Sequence, residues 1–122
     1  MENLVQEIAQ ILFEKKGFNI WAADVRGLSP LSDFILIAEG FVPQHVKAMA
    51  EAVQERMKEK GRVPIAAEGI REGDWIVLDF WEIIIHLFIP ELRERYQLEK
   101  MWPEAKILEL PLVEAHNVVS EA

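Results

Sequence analysis

The segment 74–89 constrains the fold most, because its sixteen residues contain almost nothing that favours a surface loop. We predict a β-hairpin in which Trp81 and Glu82 form a two-residue turn, so that directly opposed residues share one face of the sheet. One predicted face is wholly apolar and consists of Ile76, Leu78, Phe80, Ile83, Ile85 and Leu87. The other, termed the mixed face, consists of Trp75, Val77, Asp79, Ile84, His86 and Phe88. We expect helices to cover the apolar face, which leaves the mixed face for function.

Helical and strand patterns alternate along the rest of the chain. The predicted elements are helices over 4–16, 43–61 and 90–101 and strands over 19–25, 33–38 and 64–67. Apolar residues at steps of three and four indicate the first two helices, and Pro43 and Pro90 suit the first turn of a helix. The strand over 33–38 is apolar on both sides, so we expect it to be central. Pro64 favours an edge position for the last of these strands.

This order of elements predicts a single α/β domain over residues 1–105. Its mixed sheet is expected to have about five strands, with helices packed mainly on one face. Residues 106–122 are predicted to form a flexible or loosely packed tail, because both the helical and the strand period are lost there.

Charge and cysteine content narrow the class of function. The formal net charge is −8, which opposes binding to nucleic-acid phosphates and favours a basic protein surface as a partner. The chain has no cysteine, which excludes thiolate chemistry and fits a reducing compartment. No secretory signal pattern and no run of membrane-spanning length occur, so we expect a cytoplasmic protein without membrane association.

Two interpretations of the mixed face remain open. Aromatic anchors around a few polar groups are typical of the core of a protein interface. Monomers rarely expose large apolar patches, however, so another helix of the same chain could equally cover this face. The candidate protein-binding residues are Trp75, Val77, Asp79, Ile84, His86 and Phe88, with Arg71 of the preceding loop as part of a charged rim.

Seven stretches of the chain, in order and spacing, resemble the ribosomal silencing factor family, also known as Iojap-like proteins. They are DVRGLS (24–29), DFILIAEG (33–40), HVKA (45–48), EG (68–69), WIVLD (75–79), IIIH (83–86) and YQLEKMW (96–102). The resemblance implies a nucleotidyltransferase-like topology and binding to the large ribosomal subunit through ribosomal protein uL-fourteen. It further implies steric obstruction of small-subunit joining, repression of translation when nutrients are short, and a homodimer in the free state.

Two positions depart from the pattern of that family. Where the family usually has Gly-Asp in the hairpin turn, this chain has Trp81-Glu82. A tight turn is energetically less favourable without a glycine at positive φ. Where small hydroxyl residues often precede the second helix, this chain has Phe41-Val42-Pro43, so we expect no side-chain N-cap.

Catalysis is one alternative to binding. A nucleotidyltransferase needs a Gly-Ser phosphate-binding turn and paired carboxylates that hold Mg²⁺. This chain has Gly40-Phe41 after the second predicted strand, and Asp79 has no acidic residue two positions away. The three histidines lie far apart, and no Gly-x-Ser-x-Gly motif occurs. We therefore predict no enzyme activity, no metal and no cofactor. A homodimeric scaffold, in which the mixed face pairs with its own copy, is a further alternative.

Isolated polar residues receive simpler interpretations. His45 is expected to be solvated or to cap the second helix, and His86 is either an interface contact or a hydrogen-bonded core residue. One turn is flanked by Asp24, Arg26 and Asp33. We expect these residues to stabilise the turn by local hydrogen bonds.

Overall fold

Six strands and three α-helices follow one another along residues 2–114, the part of the chain that the computed structural model describes. The helices are α1 (Glu2–Glu14), α2 (Pro43–Glu59) and α3 (Pro90–Tyr96), and a 3₁₀ helix spans Leu98–Met101. The strands are β1 (Phe18–Asp24), β2 (Phe34–Glu39), β3 (Ala66–Glu68), β4 (Trp75–Asp79), β5 (Ile83–Phe88) and β6 (Lys106–Ile107). The predicted single α/β domain with a mixed sheet is confirmed.

All six strands belong to one open sheet. Its order is β3-β4-β5-β2-β1-β6, in which β2 and β5 are parallel and the other neighbours are antiparallel. The predicted central position of β2 and edge position of β3 are both confirmed. Among residues 2–114, no helix combines the length and the apolar character needed to cross a bilayer.

Helix α2 packs on the wholly apolar face of the hairpin, α1 packs on β1 and β2 on the same side of the sheet, and together they form the larger of two cores. Each helix buries one stripe of side chains at helical spacing. The buried residues are Val5, Ile8, Ala9, Ile11 and Leu12 in α1 and Val46, Met49, Ala50, Val53 and Met57 in α2. Fully burying a large apolar side chain contributes about 1.5–3 kcal/mol, so these two stripes stabilise the domain strongly.

The β4–β5 hairpin has the predicted register. Trp75 lies opposite Phe88, and the Phe80 N–H donates to the Ile83 carbonyl at 2.9 Å to close the two-residue turn. Trp81 supplies the positive φ, at 75°, that a glycine would supply more easily. The left-handed region costs a residue with a Cβ about 1–2 kcal/mol. The period-2 pattern of buried residues holds the register despite that cost, because a shift of one residue would reverse both faces.

His45 organises the start of α2. The N-cap residue Val42 makes no side-chain hydrogen bond, as the sequence predicts. Instead the Phe41 N–H donates to Nδ1 of His45 at 2.9 Å, and Nε2 of His45 lies 2.7 Å from the Lys15 carbonyl. The expected capping role of His45 is thus confirmed, and the same ring links the start of α2 to the end of α1.

The start of the predicted tail is attached to the domain, which corrects the division at residue 105. Strand β6 pairs with β1, and the Leu108 N–H donates to the Ala22 carbonyl at 2.9 Å. Gln10 of α1 exchanges two hydrogen bonds with the backbone of Val113. The leucines at 108, 110 and 112 are partly buried against the larger core. Their spacing of two is a strand signal, which Pro111 and the flanking glutamates obscure. The prediction for residues 115–122, including His116, lies outside the described residues.

Candidate functional site

The mixed face extends beyond the hairpin across the whole sheet. Strand pairing places on it Ala66 and Glu68 of β3, Ile35, Ile37 and Glu39 of β2, and Trp21 and Ala23 of β1, beside the six hairpin residues. One part of this larger surface is covered by the chain itself and another part is open. The interpretation that the chain itself covers this face therefore holds for one part, and the open part remains a candidate interface.

The segment 90–105, which contains α3 and the 3₁₀ helix, covers the middle of the sheet. Its side chains at Leu92, Leu98, Trp102 and Ala105 pack against a second buried cluster made of Ala23, Val25, Ile35, Ile37 and Phe88. Phe88 is 0% exposed, so the prediction that it contacts a partner is wrong. The prediction treated the hairpin as two strands alone, whereas pairing with β2 places Phe88 in the interior of the sheet.

The open part lies towards the β3 edge and is termed the open half. It consists of Ala66, Glu68, Val77, Asp79 and Ile84, all of them exposed or partly exposed. Two of its five side chains are carboxylates and the rest are apolar. A surface of this kind offers apolar contact area together with negative charge, which suits a basic partner.

Trp75 lies at the boundary between the covered part and the open half. Its ring centroid is 4.8 Å from that of Phe88 and 5.0 Å from that of Tyr96 in α3. The indole Nε1–H donates a hydrogen bond to Nδ1 of His86 at 3.2 Å. The indole is thus held in place on three sides while it remains partly exposed.

His86 is a neutral hydrogen-bonding group at this boundary. Burial lowers its pKa from the ordinary value of 6.5 to about 4. Because an indole nitrogen can only donate, Nδ1 of His86 accepts, and the proton of the neutral ring lies on Nε2. His86 is hydrogen-bonded, as expected for a core histidine, but it is also partly exposed, as expected for an interface contact.

Arg71 lies in a tight loop at the Trp75 end of the hairpin. Gly73 N–H donates to the Gly69 carbonyl at 2.9 Å, which closes the loop. Gly69 has φ of 78°, and a Cβ there would come within 1.9 Å of the Trp75 carbonyl oxygen, so only glycine fits. Arg71 and Glu72 are exposed and precede Trp75 by four and three residues in the chain.

A buried ionic cluster, which the sequence analysis missed, attaches the segment 90–105 to the sheet. Nη1 of Arg93 lies 3.2 Å from Oε2 of Glu39, and its Nε lies 3.1 Å from Oε2 of Glu99. The side chains of Glu39 and Arg93 are almost fully buried. Nδ2 of Asn19 donates to Glu39 at 3.1 Å. The sequence feature that could have indicated this cluster is Glu39, a carboxylate at the end of an apolar central strand. A carboxylate that is buried in this way requires a cationic partner.

Other polar groups have local structural roles. The Asp24 carboxylate accepts hydrogen bonds from the backbone and the guanidinium of Arg26, which lowers the pKa of Asp24 and confirms the predicted local ties in that turn. Asp33 contributes its carbonyl, which accepts from the Val25 N–H at 2.9 Å. Within residues 2–114, no group of three or more His, Asp or Glu side chains is arranged to hold a metal ion.

The fold and this surface define a small single-domain α/β protein with an open mixed sheet, one face of which is sealed by helices and the other only partly covered. The chain belongs to the ribosomal silencing factor family. A family model described as "Ribosomal silencing factor during starvation" matches residues 1–122. The resemblance noted from seven sequence stretches is therefore confirmed.

Individual relatives support the same assignment. The chain is 36% identical over 101 residues to ribosomal silencing factor RsfS of Zymomonas mobilis, covering 83% of this chain and 76% of the relative. It is 37% identical over 99 residues to ribosomal silencing factor RsfS of Haemophilus influenzae, covering 81% and 97%. A crystal structure of a protein from Chromobacterium violaceum superimposes with a TM-score of 0.80 at 27% identity, covering 93% of this chain and 94% of that chain.

Proposed function

We propose that this protein binds the large ribosomal subunit through ribosomal protein uL-fourteen and thereby blocks joining of the small subunit. This would repress translation under nutrient limitation, in the cytoplasm. The observation that carries the proposal is the half-covered mixed face, on which an anchored tryptophan borders apolar and acidic side chains. The names of the relatives, which are ribosomal silencing factors, support a ribosomal partner.

The residues assigned to the interface follow from exposure. Trp75, Val77, Asp79, Ile84 and His86 are partly exposed and would contact the partner, with Arg71 at the rim. Phe88 would act indirectly, because it lies buried beneath Trp75 and supports the indole. Removal of a central aromatic anchor costs an interface about 2 kcal/mol or more, so Trp75→Ala is expected to weaken binding by that amount.

Electrostatics favour a basic partner for this surface. A chain with a net charge of −8 gains encounter rate from a positively charged partner, and apolar contacts then provide most of the affinity. Ribosomal proteins are mostly basic because they bind RNA. Steric repression needs no bond making or breaking, so the function we propose requires neither a catalytic group nor a cofactor.

A homodimer in the free state would use the same surface. The partly exposed Trp75 and the exposed Tyr96 beside it provide aromatic contact area for a second copy. A dimer of this kind would hide the open half from the ribosome and would have to open before binding. Addition of purified large subunits to the dimer is then expected to yield bound monomer, and an intact dimer on the subunit would refute this arrangement.

The decisive experiment is sedimentation of the protein with separated large subunits, followed by a subunit-joining assay. Val77→Arg places a cation in the open half and is expected to abolish co-sedimentation and to restore joining. Val42→Arg introduces the same charge at an exposed site before α2 and is expected to behave as the wild type. Normal joining in the presence of excess wild-type protein would refute the proposed function.

A further inference from the structure

The hairpin turn carries an exposed tryptophan whose backbone conformation is unfavourable. Trp81 has φ of 75° and a side chain that is 66% exposed. Its N–H donates to Oδ1 of Asp79 at 2.9 Å, which fixes the turn without using the indole. A glycine would form the same turn with less strain, so the indole contributes nothing evident to folding. An exposed tryptophan supplies contact area for a partner instead.

Two other segments are hydrogen-bonded to this turn and carry exposed apolar side chains. The N–H groups of Asp33 and Phe34 both donate to the Glu82 carbonyl, at 2.9 and 2.8 Å. The Arg62 guanidinium donates to the Phe80 carbonyl and pairs with the Glu82 carboxylate. The segments that make these bonds carry Leu31, which is 75% exposed, and Val63, which is 70% exposed. Leu31, Val63 and Trp81 are termed the turn patch.

The charges around the turn patch are predominantly negative. The carboxylates of Asp33, Asp79 and Glu82 lie on the segments that form it. Arg62 is already paired with Glu82, and Arg26 interacts electrostatically with Asp33 without a direct ion pair. Among residues 2–114, the Asp79 carboxylate forms no ion pair. An exposed indole among carboxylates suits a guanidinium or an ammonium group, which gains both ionic attraction and a cation–π contact.

The turn patch also borders the open half of the mixed face. Asp79 belongs to the open half, and the same carboxylate accepts the N–H of Trp81. Ala66, which also belongs to the open half, lies opposite Asp79 on the edge strand, and the Ile65 N–H donates to the Asp79 carbonyl at 2.8 Å. A partner seated on the open half would therefore reach Trp81 within one or two residues along the strand.

We infer that Trp81 is a second aromatic anchor, and that the turn patch binds an arginine- or lysine-bearing segment of the same basic protein that the open half binds. This inference rests on the proposed function. It assigns binding to Trp81, a turn residue that lies outside the surface predicted from the sequence.

The test compares binding of Trp81 variants to purified large ribosomal subunits. Trp81→Gly removes the indole and relieves the positive φ, so the variant is expected to fold at least as well as the wild type. Its affinity is expected to fall about tenfold or more. Phe41→Ala removes an equally exposed aromatic ring, 67% exposed, from the start of α2 and is expected to leave the affinity unchanged.

A pair of charged variants tests the chemistry of the bound segment. Trp81→Lys is expected to bind less tightly than Trp81→Glu, because only the lysine repels a basic segment. Wild-type affinity of Trp81→Gly would overturn the inference while the proposed function stands. Tighter binding of Trp81→Lys than of Trp81→Glu would also overturn it, since that order indicates a phosphate backbone as the neighbour. Absence of wild-type binding would refute the proposed function and this inference together.

Discussion

The indole N–H of Trp75 and Nδ1 of His86 form a hydrogen bond of 3.2 Å across the β4–β5 ladder. The two residues are diagonal neighbours, because Trp75 lies opposite Phe88 and His86 opposite Val77. The bond joins the aromatic anchor of the proposed interface to a histidine that remains neutral at pH 7. It thereby couples the orientation of the anchor to the protonation state of His86.

Loss of this hydrogen bond alone is expected to lower stability modestly. Trp75→Phe preserves an aromatic ring between Phe88 and Tyr96 but leaves Nδ1 of His86 without its donor. The free energy of unfolding, measured with urea, is expected to fall by about 0.5–1.5 kcal/mol. Trp21→Phe is the control, since the structure shows no hydrogen bond from that indole among the described residues. Equal losses in the two variants would mean that the hydrogen bond contributes nothing.

Acidification is expected to destabilise the protein through His86. The pKa of His86 is about 4 in the folded protein and about 6.5 in the unfolded chain, so the unfolded state binds more protons between these values. Stability from this residue is fully present above pH 6.5 and is lost as the pH falls towards 4. The loss approaches about 1.4 kcal/mol per pH unit within this window.

The pH dependence is best measured as a difference between the wild type and His86→Asn. Asparagine can still accept from Trp75 and does not titrate. The pKa values of Glu7 and Asp24 are lowered, chiefly by hydrogen bonds from Lys60 and Arg26, so their stabilisation is lost mainly below pH 4.5. Between pH 6.5 and 5 the wild type is therefore expected to lose more stability than His86→Asn. Parallel curves would contradict the role assigned to His86.

The register of the hairpin was predictable from the sequence because it depends on residues within the hairpin itself. Alternation of apolar and mixed positions fixed the register, and the unfavourable turn at Trp81 did not shift it. The covered half of the mixed face was not predictable in the same way. Phe88 is buried because β5 pairs with β2 and because Leu92 and Trp102 pack onto that face, and both relationships depend on tertiary structure.

The ionic cluster of Glu39, Arg93 and Glu99 also could not be predicted, because its residues come together only in the tertiary structure. Glu39 and Arg93 are 54 residues apart in the chain and meet only because β2 and β5 are parallel neighbours that end together. The helical pattern from Pro90 indicated α3 but not which of its residues would point at the sheet. Sequence reasoning therefore located the surface that includes Trp75, whereas the boundary of its open part required the structure.

Removal of the Arg93 guanidinium is expected to destabilise the fold strongly. Arg93→Met would leave the buried Glu39 carboxylate without its cation, which typically costs about 3–5 kcal/mol. Urea unfolding should show this loss, whereas Arg95→Met, at an exposed position two residues later, should change stability by less than about 0.5 kcal/mol. A similar small effect in both variants would show that Glu39 is satisfied without Arg93.

Truncation tests the attachment of the segment that follows residue 105. A chain that ends at Ala105 loses the β6 pairing with β1, the two hydrogen bonds between Gln10 and Val113, and three partly buried leucines. Compared with a chain that ends at Glu114, its free energy of unfolding is expected to be lower by about 2–4 kcal/mol, chiefly from lost apolar burial. Urea unfolding of the two truncated chains measures this difference directly. Equal stabilities would mean that the domain is complete at Ala105, as the sequence pattern alone predicts, and that the contacts of β6 contribute no net stability.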